Sequence, residues 1–146
     1  MTQTVIIGAA RTPMGAFQGE LSTVSATELG GFAITAAVEN STVSPDALDE
    51  LLMGCVLPAG LRQAPARQAG ILVGLPNSVP ATTINKVCGS GMKAILLGSD
   101  QIRSGGTNFV VAGGMESMSN APYLSQSSRG GGRAGVIVGC SNTPLC

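Results

Sequence analysis

Apolar and polar positions fall into blocks that read as strands and helices in alternation. Residues 4–10 (TVIIGAA) form a short apolar run rich in β-branched side chains, and Arg11-Thr12-Pro13-Met14-Gly15 breaks it, which predicts a buried strand and then a long loop. Ser25 and Glu28 have the S-x-x-E spacing of a capping box. Behind them Leu29, Phe32, Ala33, Ala36 and Ala37 recur at helical spacing, so a helix is expected from this cap to about Glu39, with those residues on its inner face. Ser44-Pro45-Asp46 supplies a capping Ser, a Pro at the first helical position and an acid in the first turn, which predicts a short helical turn.

Residues 51–57 read as a second strand, closed by Pro58 and Gly60. Pro65 opens a helix that carries Arg67, Ala69, Ile71 and Leu72 and stops near Gly74-Leu75-Pro76. Residues 81–87 (ATTINKV) read as a third strand. From Cys88 onward Met92, Ile95, Leu96, Ser99 and Ile102 share one helical face until Gly105-Gly106. Residues 109–112 are the fourth strand expected, ending at Gly113-Gly114. Helices between apolar strands imply an α/β class, with a largely parallel sheet covered by helices on both faces. Past Met118 the pattern dissolves: residues 119–135 are rich in Ser, Gly and Arg, and 136–140 (VIVGC) are apolar again but too short to organise anything alone.

Composition removes several function classes. Among 146 residues, eight Lys plus Arg balance eight Asp plus Glu and only 11% are charged, so no field gathers nucleic acid or an anionic membrane. A hydrophobic share of 44% and a mean hydropathy of +0.34 supply core material for an ordered domain. The chain has no His, which excludes Ser-His and Cys-His arrangements and most zinc sites within it; no metal is expected. Cys55, Cys88, Cys140 and Cys146 are irregularly spaced in a chain too large and apolar to need disulfide staples, and they read as reduced thiols of a cytoplasmic-type compartment. The N-terminus lacks the pattern of an export or transit signal. Pro76 and Pro80 interrupt the longest uncharged run, 68–85, so it is not expected to span a membrane.

The candidate for chemistry is Cys88, on the turn from a strand into a helix. A thiol there faces unpaired backbone N–H groups and the positive end of the helix dipole, both of which favour the thiolate. Gly89 and Gly91 remove side chains near the sulfur, so that a carbonyl substrate can approach. Spacing alone leaves an alternative open, since a Cys in apolar surroundings is often simply packed. Met115, Glu116 and Met118 follow the last strand at its C-terminal end, the usual ligand side of an open parallel sheet, and Met115 is taken as a supporting residue of the site. Arg67 and Lys86 are cations that either meet an anionic ligand or serve structure. Gly105-Gly106 and Gly113-Gly114 lack any nucleotide-binding pattern and read as turns.

The string NKVCGSGMKA, from Asn85 to Ala94, resembles the acyl-cysteine motif of the thiolases, the acyl-CoA C-acyltransferases. Three further strings match that family in order: RTPMGAFQG from Arg11, PARQA from Pro65 and VAGGMESMS from Val111. The resemblance covers about residues 3–124, with a weaker echo to Gly135, and is strongest to the short-chain acetoacetyl-CoA subgroup. It implies a layered α/β domain over residues 1–120, incomplete at its C-terminal end. Residues 121–146 would be the start of a loop domain running into a divergent tail. It also implies Cys88 as the acyl-thioester nucleophile, with CoA thioesters as substrates and no covalently bound cofactor.

In the family, the Cys takes an acyl group from one CoA thioester and passes it to the carbanion of a second acyl-CoA, or in reverse to CoA. The base and a second acid/base come from Gly-His-Pro and Gly-flanked Cys motifs that do not occur in this chain, and neither Cys140 nor Cys146 has the second motif's context. The sequence thus reads as a truncated thiolase N-terminal portion. A competing reading is an inactive fragment that acts by pairing with a full-length subunit. A β-ketoacyl synthase, which shares the fold, fits less well because of the PARQA and GGMESMS strings. The family's oligomers imply a homo-oligomer, with residues 81–87 at a sheet edge that pairs across a two-fold axis.

Overall fold

A computed structural model describes residues 3–124. In chain order they form α1 (Ala26–Ser41), a 3-10 turn (Pro45–Ala47), β1 (Glu50–Gly54), α2 (Pro65–Leu72), β2 (Ala81–Ile84), α3 (Ser90–Arg103), β3 (Val110–Gly114) and a last 3-10 turn (Met118–Asn120). Residues 125–146, with Cys140, Cys146 and the apolar run 136–140, lie outside the described residues.

The three strands are parallel in the order β2-β1-β3, with Leu51 beside both Ala81 and Val111. Parallel neighbours need crossovers, and α2 and α3 supply them. β1 is central, so both of its faces are covered and Leu51 through Cys55 are all buried. Leu51, Met53 and Cys55 join a core with Ile34 and Val38 of α1, Ala66 and Ala69 of α2, and Val79. By strand alternation Leu52 and Gly54 face the other layer, α3. Asp49 fixes the entry to the sheet: its carboxylate accepts the amides of Asn108 (2.6 Å) and Phe109 (2.9 Å), and those bonds, Phe109 first, hold its pKa below the usual carboxylate range.

Several local expectations match. Ser25 Oγ accepts the Glu28 amide while Glu28 accepts the Ser25 amide, completing the capping box at α1. Ser44 caps the turn that Pro45 opens, and Pro65 is the first residue of α2. No helix among the described residues is long and apolar enough to cross a membrane.

β1 and β2 end at Gly54 and Ile84 rather than at 57 and 87, and β3 runs through Gly113-Gly114, which the sequence presents as a turn; three further expectations fail, each for a packing reason. Residues 4–10 make no ladder with any described strand. Side chains tie this segment to the helices flanking β3 instead: Asn40 Nδ2 donates to the Ala9 carbonyl at 3.1 Å and Thr4 Oγ1 to the Ser99 carbonyl at 3.4 Å, and Val5, Ile6 and Ile7 stay exposed. The inner face of α1 is Ala26, Gly30, Ile34 and Val38 rather than the face of Phe32, which is 60% exposed. Gly30 lets Met115 come close, for a Cβ there would sit 2.6 Å from the Met115 sulfur. Likewise α3 rests on the sheet through Ser90, Ala94 and Gly98, and turns Met92, Ile95 and Leu96 outward. Small residues at four-residue spacing allow closer approach to the strands than the larger apolar face would, and Gly98 would place a Cβ 3.0 Å from Val110 Cγ1.

Candidate active site

Cys88 is exposed, on the turn that leaves β2 and enters α3. Two close backbone approaches bring that turn to the C-terminal ends of the strands. A Cβ on Gly54, the last residue of β1, would lie 2.6 Å from Gly91 N, and one on Gly114, the last of β3, would lie 3.2 Å from Gly91 Cα. The start of α3 thus sits directly on β1 and β3. Gly89 caps α3 with an ordinary negative φ, and a Cβ there would meet only the Lys86 carbonyl at 3.4 Å, so neither strain nor crowding demands glycine. The first intrahelical bond runs from the Lys93 amide to the Gly89 carbonyl, which leaves the amides just before Lys93 as the orphan donors of a helix start.

The turn itself is strained and clamped. Val87, a β-branched residue, has φ 47°, in the left-handed region that such residues rarely adopt. Its amide donates to Asn85 Oδ1 at 3.0 Å, and its carbonyl accepts from both the amide and the hydroxyl of Ser90. Ser90 Oγ also accepts the Lys86 amide at 2.8 Å. Asn85 and Ser90 stand inside the motif around Cys88, but the sequence reading gave them no role; the available signal was an Asn two residues before the strained position, the spacing of an Asx turn.

The loop after β3 divides its duties. Met115, expected to support the site, is buried against Gly30 in the core. Glu116 turns back under β1: its carboxylate accepts the Val56 amide at 2.7 Å and the Leu57 amide at 3.1 Å, and stands 3.8 Å from Cys55 Sγ. Ser119 Oγ accepts the Gln18 amide, and Ser117 and Asn120 donate to the Val24 carbonyl, which ties this loop to the segment leading into α1. Arg67 is occupied structurally, donating to the carbonyls of Val79 and Asn77. Among the described residues no group of His, Cys, Asp and Glu could hold a metal ion. A cavity of about 390 Å³ opens between residues 4–10, α1, α3 and β3, with Ile34, Val38, Ile95 and Val111 in its wall; neither Cys88 nor Met115 lines it.

The two described thiols are set apart by their surroundings. Burial, followed by the nearby Glu116 charge, pushes Cys55 up to about 11. Iodoacetamide at neutral pH should therefore label exposed Cys88 and spare Cys55, with Cys55 labelling rising only toward pH 11. Because the folded state disfavours the Cys55 thiolate, this group leaves stability unchanged below the ordinary thiol range and lowers it as pH climbs from there through about 11. Equal labelling of both thiols in the folded chain at pH 8 would contradict this assignment.

Comparison with known proteins gives consistent matches. The profile of the family described as "Thiolase, N-terminal domain" matches residues 4–138. An acetyl-CoA acetyltransferase of Cupriavidus necator is 53% identical over 135 residues, which are 92% of this chain and 34% of that protein. The Yarrowia lipolytica acetyl-CoA acetyltransferase is 58% identical over 120 residues, 82% of this chain and 30% of the relative, and the mitochondrial enzyme of Xenopus tropicalis is 54% identical over 123 residues, 84% and 29%. Among solved structures, the Acat5 thiolase from Ascaris suum in complex with coenzyme A superposes with a TM-score of 0.80 at 44% identity, covering 83% of this chain and 32% of that one. The chain spans 29–34% of the length of these curated relatives.

Proposed function

The chain belongs to the thiolase family, whose N-terminal domain it carries, and we propose that it performs the acylation half of thiolase chemistry, with Cys88 as the nucleophile and a CoA thioester as substrate. The observation that carries this reading is the exposed thiol on the β2–α3 turn, at the C-terminal ends of a parallel sheet. The Cys88 thiolate would attack the thioester carbonyl carbon, the developing oxyanion would take hydrogen bonds from backbone amides, and collapse would expel the CoA thiolate to leave an acetyl-cysteine. Gly89 supports the reading, because a residue that packing leaves free to be larger is small beside the sulfur. Gly54 and Gly114 let the helix start approach the strand ends at Gly91, and Met115 braces the loop behind them. Transfer of the acetyl group to a second acetyl-CoA, giving acetoacetyl-CoA, or its reverse, is the reaction of the whole protein in this reading.

We take residues 1–120 as the domain and 121–146 as the start of a further one. The irregular spacing of the four cysteines, in a chain too large and apolar to need disulfide staples, supports a reducing compartment, which we read as the cytoplasm. A second reading, pairing with a longer thiolase subunit without acylation of its own, is favoured by the exposed Met92, Ile95 and Leu96 on α3 and by β2 at the sheet's edge. Prolonged exposure to acetyl-CoA, followed by intact-mass and peptide mass spectrometry, separates the two. Acyl transfer predicts a slow gain of one acetyl group on Cys88 that is absent from Cys88→Ala. An unmodified Cys88, or an acetyl group on Cys55 instead, would overturn the first reading in favour of the second.

A further inference from the structure

The strained turn at Val87 does not stand alone. Asn85 Oδ1 accepts the Val87 amide, and the other end of the same amide group, Nδ2, donates to the Val56 carbonyl at 3.1 Å. Val56 belongs to the exit of β1, and its own amide, with that of Leu57, is held by the Glu116 carboxylate from the exit of β3. A continuous chain of hydrogen bonds thus crosses the C-terminal ends of all three strands, from Glu116 through the backbone at Val56 and Leu57 to Asn85 and the residue that precedes Cys88.

We propose that Glu116 and Asn85 are positioning residues that act in series, fixing the exit loop of β1 so that Asn85 can hold Val87 left-handed and present Cys88 at the start of α3. The proposal rests on the reading of Cys88 as nucleophile only for its consequence; the coupling itself is a property of the turn. Both ends of the chain are charged or strained in a way that local structure does not require. An ionised carboxylate accepting two backbone amides makes stronger bonds than neutral partners would. A β-branched residue at φ 47° persists only where its surroundings overdetermine it. Without the Asn85 bond, Val87 would relax toward an extended conformation and carry the sulfur away from the helix start.

Series action makes a demand that two independent structural contacts would not. Glu116→Gln keeps the size of the side chain but turns an NH₂ group toward one of the two amides. Asn85→Asp retains the acceptor for the Val87 amide and loses the donor to the Val56 carbonyl, which cuts the chain in the middle. In the 146-residue chain, amide hydrogen exchange at Val87 read by NMR, together with the iodoacetamide rate at Cys88, should respond to either substitution by about tenfold, the weight of one hydrogen bond. Exchange at Ala94, inside α3, should stay unchanged. In the Asn85→Asp background, adding Glu116→Gln should change neither readout further, the non-additivity of residues in one network.

The proposal is overturned if Glu116→Gln frees the Val56 and Leu57 amides but leaves Val87 exchange and the Cys88 rate within twofold, or if the two substitutions add. Should one variant fail to fold, the other alone still tests whether its end of the chain reaches Val87. The nucleophile reading fails separately. If Cys88 in the unsubstituted chain alkylates no faster than in urea while Val87 exchange still responds to Glu116→Gln, the positioning chain stands and the role of the thiol does not.

Discussion

Gly54→Ala should destabilise the chain by about 3 kcal/mol, the upper end of the usual overpacking range, whereas Gly91→Ala on the opposite side of the same contact should change stability by less than about 1 kcal/mol. The asymmetry follows from what each new methyl group meets. At Gly54 a Cβ would lie 2.6 Å from both Gly91 N and the Ser90 carbonyl carbon and 2.8 Å from Ser90 Cβ, mostly backbone that only a shift of α3 as a unit relieves. At Gly91 the nearest atoms are Gly114 Cα and N at 3.5 Å, ordinary contact distance, and the exchange of Gly for Ala inside a helix offsets part of any residual strain. Urea denaturation of the two variants reads this difference. Gly54→Ala should also carry the Cys88 turn outward, because Ser90 is both the residue it collides with and the clamp on the Val87 carbonyl. Equal stability of the two variants would mean that α3 does not sit on β1 as closely as described.

Much of the fold was legible because its signals are local. The Ser25–Glu28 capping box, Pro65 at the start of α2 and Ser44 before Pro45 each act within one turn of chain, and each behaves as its spacing predicts. Strand order and the exposure of residues 4–10 are not local. A β-branched run forms a strand only where an edge accepts its backbone bonds, and Val5, Ile6 and Ile7 find none among the described residues. The helix faces do not follow from hydrophobic spacing alone, because side-chain size also decides which residues can lie against the sheet. In α3 the residues against the sheet, Ser90, Ala94 and Gly98, are small, and closeness of approach decides the face over the apolar bulk of Met92 and Leu96; in α1 Gly30 admits Met115 beside the buried Ile34 and Val38, while Phe32 stays exposed.

The candidate site shows the same division. Cys88 is a candidate in the sequence because a Cys between a strand and a helix, followed by Gly89 and Gly91, has a chemical meaning that depends on neighbours in sequence, and its exposed place on the β2–α3 turn agrees with that position. The loop of Met115, Glu116 and Met118 could be placed by the rule for strand ends, but not its inner assignments: Met115 buried, Met118 65% exposed, Glu116 bonded across to β1. Those depend on residues about 60 positions away in the chain, a separation that periodicity cannot register. Asn85 is the instructive case, since its Asx spacing to Val87 was visible while its second bond, to Val56, was not.

Counting catalytic groups leads to the largest expected effect. Turnover of acetoacetyl-CoA requires a thiolate to take the acyl group, a base to generate it, an acid/base at the α-carbon and a surface for CoA. The 146 residues contain no His, so an imidazole cannot be the base. Cys55 cannot stand in as the second acid/base: it is buried, its thiol is pushed up to about 11, and it is committed to the Glu116 carboxylate. Loss of a general base alone costs about 10²–10⁴ in rate, and loss of the second group and of substrate positioning multiplies that. The isolated chain should therefore show no thiolysis of acetoacetyl-CoA above a Cys88→Ala control, even in a preparation whose Cys88 slowly acetylates. That pairing of outcomes is informative because a misfolded chain would lack both activities, whereas a folded chain that carries the proposed nucleophile without its base lacks only turnover. Thiolysis at about 1–10³ s⁻¹, the ordinary range for enzymes, that disappeared in Cys88→Ala would show that the chain holds its own base and that the count of groups is wrong.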